Sequence, residues 1–554
     1  MSASDKKKLR KEQVADFLSE KQKQEQAEAK KLRIYTTTFI TAMILVVCIV
    51  IGVLGVRAVN QSGVFQKNTI AATIGDRELN SVELGYYYND AINEYYNEWY
   101  QQYTTYTDTY LQMMGLDTTK PMDKQIFDEE SGMTWAEYFV ETAVANAKSD
   151  FAMYDKAMEE GFKLPEEEQT SLDNSINNIG TYAQLYGYSN AKQYLAAMYG
   201  YGADEESYAE YVTRSAVATA YYNAHNEGLT YDDAAIREYE KDNANKFNSY
   251  TYDYSYLSYT DFREGGTEDE NGNKTYTEEE NEAGRAALKA AAEELATATS
   301  LEDLKAKVEE VKVNDSSDLA VNSEKNQLHT LVSAAPLADW LAAEDRKEGD
   351  IAAIPNTSTT KDDDGNEKTV TNGYYVAIFQ SKVDNTEKMS DVRHLLVKFE
   401  GGTEDEETGE MIYTDEEKAA TKAKADEFLK QWQDGDKTEE SFIELVKKNS
   451  DDTSAEDGGL FEDINPDSQY VPEFLNWSIS NDRQVGDCEV IETEFGYHVM
   501  YYVGESELTY RDYMITNEMR TADQEKWYQG LLDAVTTSVG DTSKMRLDIT
   551  LSAG

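Results

Sequence analysis

Apolar residues gather first between Ile34 and Val56, in an uncharged run as long as the ~20 residues that span a bilayer. Beyond it, Thr69 to Asp76 alternates like a short strand closed by a turn. From Ser81, a candidate N-cap, to Tyr100 the apolar positions recur at helical spacing, and they do so again over 135–158, 190–198 and 208–224. Many of these positions are tyrosines, which fit a helical core with wet edges or a groove for unfolded chains. Near the C-terminus Tyr510, Met514, Trp527, Leu531 and Val535 mark one face of a long amphipathic helix. Its simplest partner is the helical region near the other end of the chain.

Between these helical regions the pattern repeats itself. Glu264-Gly265-Gly266-Thr267-Glu268-Asp269-Glu270 returns as Glu400-Gly401-Gly402-Thr403-Glu404-Asp405-Glu406. Trp340, Asp345-Arg346 and Gly349-Asp350 match Trp477, Asp482-Arg483 and Gly486-Asp487. Gly373-Tyr374-Tyr375-Val376 matches Gly496-Tyr497-His498-Val499. Each copy reads strand, acidic loop, two helices, a Trp-containing helix and two strands. Two tandem domains account for so long a period better than a solenoid does.

Charge adds an orientation. Lys6, Lys7, Lys8, Arg10, Lys11, Lys30, Lys31 and Arg33 precede the apolar run, which places the N-terminus in the cytoplasm and everything after about Arg57 outside. A cleaved signal peptide fits less well, because the apolar run exceeds the usual ~7–15 residues. The net charge of −55 disfavours nucleic acid and anionic lipid as partners. Asp362-Asp363-Asp364-Gly365 lacks the alternating ligands of an EF-hand, so no metal is expected. Cys48 in the apolar run and Cys488 far downstream have no disulfide to form with each other.

Two of the four histidines, His394 and His498, lie in matching strand-like strings, Val392-Arg393-His394-Leu395-Leu396-Val397 and Phe495-Gly496-Tyr497-His498-Val499-Met500. Between them come Asn449-Ser450-Asp451-Asp452-Thr453-Ser454-Ala455 and Gln469-Tyr470-Val471-Pro472-Glu473-Phe474. A lone histidine in an apolar strand is usually a satisfied core residue, and Asp452 alone fits a helix cap. In this order, however, the four strings resemble the parvulin family of peptidyl-prolyl isomerases. The whole layout resembles extracytoplasmic foldases of the PrsA and SurA-like kind.

The resemblance implies an α+β protein: tail 1–33, transmembrane signal anchor 34–57, helical chaperone-like region 58–249, degenerate parvulin-like domain 250–384, parvulin-like domain 385–505, and a closing helix in 506–554 that packs on the helical lobe. It implies His394, His498 and Asp452 as catalytic residues. Leu460, Tyr470 and Phe474 would form the proline pocket, with Tyr470 where the family usually has Met. Copy one has Tyr375 in place of His498, and its own histidine, His329, lies outside both strands. Isomerisation makes and breaks no bond, so no cofactor is expected. The expected partners are exported polypeptides with X-Pro bonds, and the bilayer through one helix. The acidic loop from Glu400 predicts a phosphate-independent enzyme, since phosphate would be repelled there. A non-catalytic holdase or scaffold is the competing reading, and a surface adhesin has little support among the residues.

Overall fold

The computed structural model describes residues 58–548 apart from 269–273, 312, 314–318, 362–365 and 406–408, together with 4, 6–8, 10, 11, 38, 41–51 and 53–56. Most of the charged tail, the 362–365 acidic turn and the ends of both repeat strings (Asp269, Glu270, Glu406) lie outside the described residues. Among those described, one helix, Thr41–Gln61, is long and apolar enough to cross a membrane. The chain groups into two compact units, Met1–Leu229 with Asp523–Gly554, and Thr230–Ala522.

In the first unit, helices Ser81–Tyr103, Trp135–Glu160 and Glu205–Gly228 supply most of the core. The first begins one residue earlier than a Ser81 cap implies. Asn80 is the N-cap, because its side chain accepts from the Val82 and Glu83 amides while Glu83 accepts from the Asn80 amide. This reciprocal box satisfies donors that the first helical turn leaves unpaired. Tyr86 and Tyr88 are buried, and Tyr86 stacks on Tyr211 at 5.0 Å. These tyrosines are core. Ile70–Ile74 is the middle strand of a small sheet with Arg77–Asn80 and the C-terminal Thr537–Val539, so both ends of the unit's sequence share one sheet. Trp527, Tyr528 and Leu531 pack with Met153, Val217 and Tyr221.

The second unit contains two four-stranded antiparallel sheets with the same order. Numbered along the chain within each sheet, the strands lie 2-1-4-3. The first sheet is built from Ser249–Ser258, Asn322–Leu328, Ile351–Lys361 and Glu367–Val383. The second comprises β1 (Lys388–Lys398), β2 (Leu460–Ile464), β3 (Cys488–Thr493) and β4 (Gly496–Thr509), with helices α1 (Asp415–Asp434), α2 (Glu439–Asn449) and α3 (Pro472–Ser478) between them. The second strand of each sheet was not anticipated from sequence, and neither was the helix Asp233–Asn243.

The repeated Glu-Gly-Gly string has a structural meaning. Gly266 and Gly402 sit at φ 84° and 83°, a region glycine enters freely. Each donates its amide to the N3 glutamate of the following helix, Glu280 and Glu417, at 3.0 Å in both cases. Register carries the correspondence further. Leu396 pairs with His498 and His394 with Met500, while Tyr256 pairs with Tyr375 and Tyr254 with Ala377. Tyr254 and Tyr375 therefore stand where the second sheet has His394 and His498.

The first turns of the helix Tyr510–Asp533 belong to this unit. Ile515 joins Ile236 and Phe247 in a core cluster, and Arg511 donates to the Asn248 side chain and the Asp384 carbonyl, both at 3.0 Å.

Candidate active site

Strand alternation decides what His394 faces. On β1 and β4, Leu395, Val397, Tyr497, Val499 and Tyr501 point to one face, where Phe442, Val446 and Trp432 of α1 and α2 cover them. Val392, His394, Met500 and His498 point to the other, among Phe461, Phe474 and Trp477. Both histidines are buried, at 3 % and 4 % exposed. Their Nδ1 atoms lie 2.8 Å apart and the rings stack at 5.1 Å between centroids.

Asp452 reaches the pair from a loop that continues the edge of β1. The Leu396 amide donates to Ser450 Oγ at 3.1 Å, and the Asp451 amide donates to the Leu396 carbonyl at 2.9 Å. Past the turn, the His394 amide donates to the Gly459 carbonyl at 2.9 Å. The buried Arg393 guanidinium pairs with Glu439 and donates to the carbonyls of Asp457 and Gly458. Thus held at both ends, the loop places Asp452 Oδ1 3.5 Å from His394 Nε2. Asp452 is also a cap: its Oδ1 accepts from the amide and hydroxyl of Ser454 at 2.9 and 2.6 Å. Cap and histidine partner are one residue.

The hydrogen bonds run in one direction. A carboxylate only accepts. Ser454 Oγ–H donates to Asp452, leaving its oxygen to accept from His394 Nε2–H at 3.3 Å. His394 Nδ1 then accepts from His498 Nδ1–H. His498 Nε2, left as an acceptor, accepts a hydrogen bond from Thr493 Oγ1–H at 2.9 Å. Thr493 Oγ1 in turn accepts from the Phe495 amide at 3.2 Å. One tautomer of each ring satisfies every partner. The pKa shifts agree with neutral imidazole at His498, because burial, with His394 adding to it, pushes this group down to about 3. Asp452 is held below the usual carboxylate range, chiefly by the nearby His394 imidazole and then by the hydrogen bonds from Ser454.

Phe474 and Tyr470 stand beside the histidine pair. The Phe474 ring is 5.4 Å from His394 and 5.7 Å from His498, and Tyr470, 37 % exposed, packs on Phe474 at 5.3 Å. Leu460 differs. It pairs with Arg393 in the sheet, and the adjacent Phe461, on the opposite face, stands 5.0 Å from His394 and 5.4 Å from Tyr470. Phe461, Ser454 and Thr493 are the residues that sequence reasoning missed. Phe461 is the next residue after the glycine turn. Thr493 sits on β3, whose pairing with β4 brings it back beside His498.

Comparison with known proteins bears on this domain. Residues 394–504 match the rotamase family, described as the PPIC-type PPIase domain. No curated protein matches the chain. Among solved structures, the peptidylprolyl isomerase PrsA from Bacillus anthracis is similar at 22 % identity, over 27 % of this chain and 59 % of that one, with a TM-score of 0.17. PrsA from Bacillus subtilis is 14 % identical over 73 % of this chain and 87 % of that one, with a TM-score of 0.24. A structure of SurA-like chaperones from Campylobacter jejuni is 16 % identical over 42 % and 78 %, with a TM-score of 0.14. At such scores the weight rests on the domain match. The chain thus carries, at residues 394–504, a parvulin-type peptidyl-prolyl isomerase domain.

Proposed function

We propose that the chain is a membrane-anchored foldase whose domain 385–505 isomerises X-Pro bonds of exported polypeptides outside the cytoplasm. The observation that carries this reading is the contact of His394 and His498 beside Asp452, under a wall of Phe461, Tyr470 and Phe474. Rotation about an X-Pro bond breaks amide resonance, and the barrier is about 18–20 kcal/mol. As resonance is lost, negative charge leaves the carbonyl oxygen and the lone pair collects on nitrogen. A fixed carboxylate beside that oxygen opposes the planar amide more than the twisted one, which is the differential binding that catalysis requires. The ring wall takes the proline. The histidine chain keeps Asp452 ionised and in place.

In this reading 250–384 is a related copy without the catalytic pair, since Tyr254 and Tyr375 stand in its place. Regions 58–249 and 506–554 supply a chaperone-like lobe, and Thr41–Gln61 is the anchor.

The test is a proline-tetrapeptide isomerisation assay on the purified full chain. Acceleration is expected, with His394→Ala and His498→Ala each lowering it about tenfold or more. Unchanged rates in both variants would reject the site. A second reading, a non-catalytic holdase, draws on Tyr470, whose ring packs on Phe461 and Phe474 and narrows the pocket. Suppressed aggregation of an unfolded client, with no isomerase rate, would favour it.

A further inference from the structure

Against a net charge of −55, one cavity of the first unit is positively lined. It measures about 1070 Å³ and is bordered by Asn60 and Gln61, at the end of the Thr41–Gln61 helix, and by Lys192, Lys544 and Arg546. None of its fifteen lining residues is Asp or Glu, whereas 107 acids in 554 residues would lead to about three. Asp541 lies outside the lining. Its carboxyl is held low chiefly by the hydrogen bond from Ser543, with Lys544 adding a smaller part.

The cavity's place is fixed by backbone contact. Just past the apolar helix, Gly63 approaches Gly202 so closely that a Cβ on Gly63 would lie 2.2 Å from Gly202 Cα. Gln66 is buried, and Lys67 pairs with Asp204 at 2.6 Å. Arg546 lies over Gly200, its Cβ 3.2 Å from where a Gly200 Cβ would sit. The last turn of the apolar helix therefore borders the same cavity as the three cations. If that helix crosses the bilayer, as the proposed function holds, the cavity opens at headgroup depth. Cations there meet lipid phosphate, whose attraction falls off within a Debye length.

We propose that this cavity holds the phosphate-bearing headgroup of an anionic lipid of the leaflet where the anchor emerges. The acidic surface elsewhere keeps the rest of the ectodomain off the membrane, and this one site sets the lobe's contact with it. The test titrates short-chain phosphatidylglycerol into the full chain in neutral detergent, with bound lipid read by native mass spectrometry. Saturable binding is expected, at least about tenfold weaker in K192Q/K544Q/R546Q and in the single reversal K544E. The charge-matched K430Q/K447Q/K448Q should bind like the wild type. Equal binding by the wild type and K192Q/K544Q/R546Q would overturn the site, as would an equal loss in both triple variants. Competition by soluble glycerol phosphate as strong as by the lipid would overturn the lipid assignment. Extraction of the chain from membranes by alkaline carbonate reports separately on the anchor. Release there, with the lipid titration intact, would refute the anchor and leave the phosphate site standing.

Discussion

Thr493 Oγ1 lies 2.9 Å from His498 Nε2 across a single hairpin, and it anchors the far end of the hydrogen-bond chain that ends on Asp452. Thr493→Val keeps the shape of the side chain but removes the donor to His498. A buried ring nitrogen left without a partner costs about 1–3 kcal/mol. The variant should lose that much stability in urea unfolding and should isomerise peptides more slowly. Imidazole ¹⁵N shifts should show that His498 no longer holds a single tautomer. Unaltered shifts would mean that His394 alone sets the tautomer.

The same chain fixes how stability responds to acid. Burial lowers His498 from 6.5 to about 3, so below pH 6.5 the unfolded chain takes up a proton there that the folded chain refuses. Stability falls as pH drops across this window, by up to about 1.4 kcal/mol per pH unit. Asp452 acts with the same sign at lower pH. Its folded value lies below the ordinary 3.8, so its contribution is present above that value and is lost as pH falls through the folded one. Urea midpoints from pH 7 to 4 should decline in the wild type and flatten in His498→Phe. Parallel curves for the two proteins would assign the acid sensitivity to other groups.

Much of this could be read from the residues, because the signals were local. Two histidines in apolar strings marked the central strands. Helical spacing of apolar residues marked the longer helices, although Asn80 rather than Ser81 proved to be the cap of the first. The strand Asn322–Leu328 gave no signal because all of its residues are exposed or half-buried, so no apolar alternation was required of it. Leu460–Ile464 is five residues long and follows a glycine turn, which left its phase open. A shift of one residue sends the opposite side chain to the site, and so Phe461 faces His394 where Leu460 was expected. Ser454 and Thr493 are hydroxyl residues of a common kind. Only the folded register shows which histidine nitrogen each one serves.

Gly459 tests how tightly the loop behind Asp452 is tied to β1. It sits at φ +68°, and a Cβ there would lie 2.1 Å from the His394 carbonyl oxygen. Gly459→Ala must push the loop off β1, disturbing the bond from the His394 amide and moving Asp452 with it. A loss of more than about 2 kcal/mol is expected, together with most of the isomerase rate. Gly486→Ala is the control. It has a similar φ of +90° but open space around the new methyl, so it should cost only about 1 kcal/mol. Equal losses in the two variants would show that φ alone, and not the contact with His394, is what matters.

Substrate choice follows from the loop after β1. From Glu400 to Tyr413 the sequence holds Glu400, Glu404, Asp405, Glu406, Glu407 and Glu410, with no lysine or arginine. Lys424 comes from α1 to pair with Glu400 at 2.6 Å, so this cation is already engaged. A phosphate on the residue before proline would bring about two negative charges toward this loop. Peptides with alanine or lysine before proline should therefore turn over faster than those with phosphoserine or glutamate. The gap should narrow as salt is raised from ~0.01 to ~0.15 M, since the Debye length shrinks from about 30 to 8 Å. Faster turnover of the phosphoserine peptide at low salt would contradict the electrostatic reading of the loop. A gap that salt does not narrow would trace the preference to direct contact in the pocket beside Tyr470.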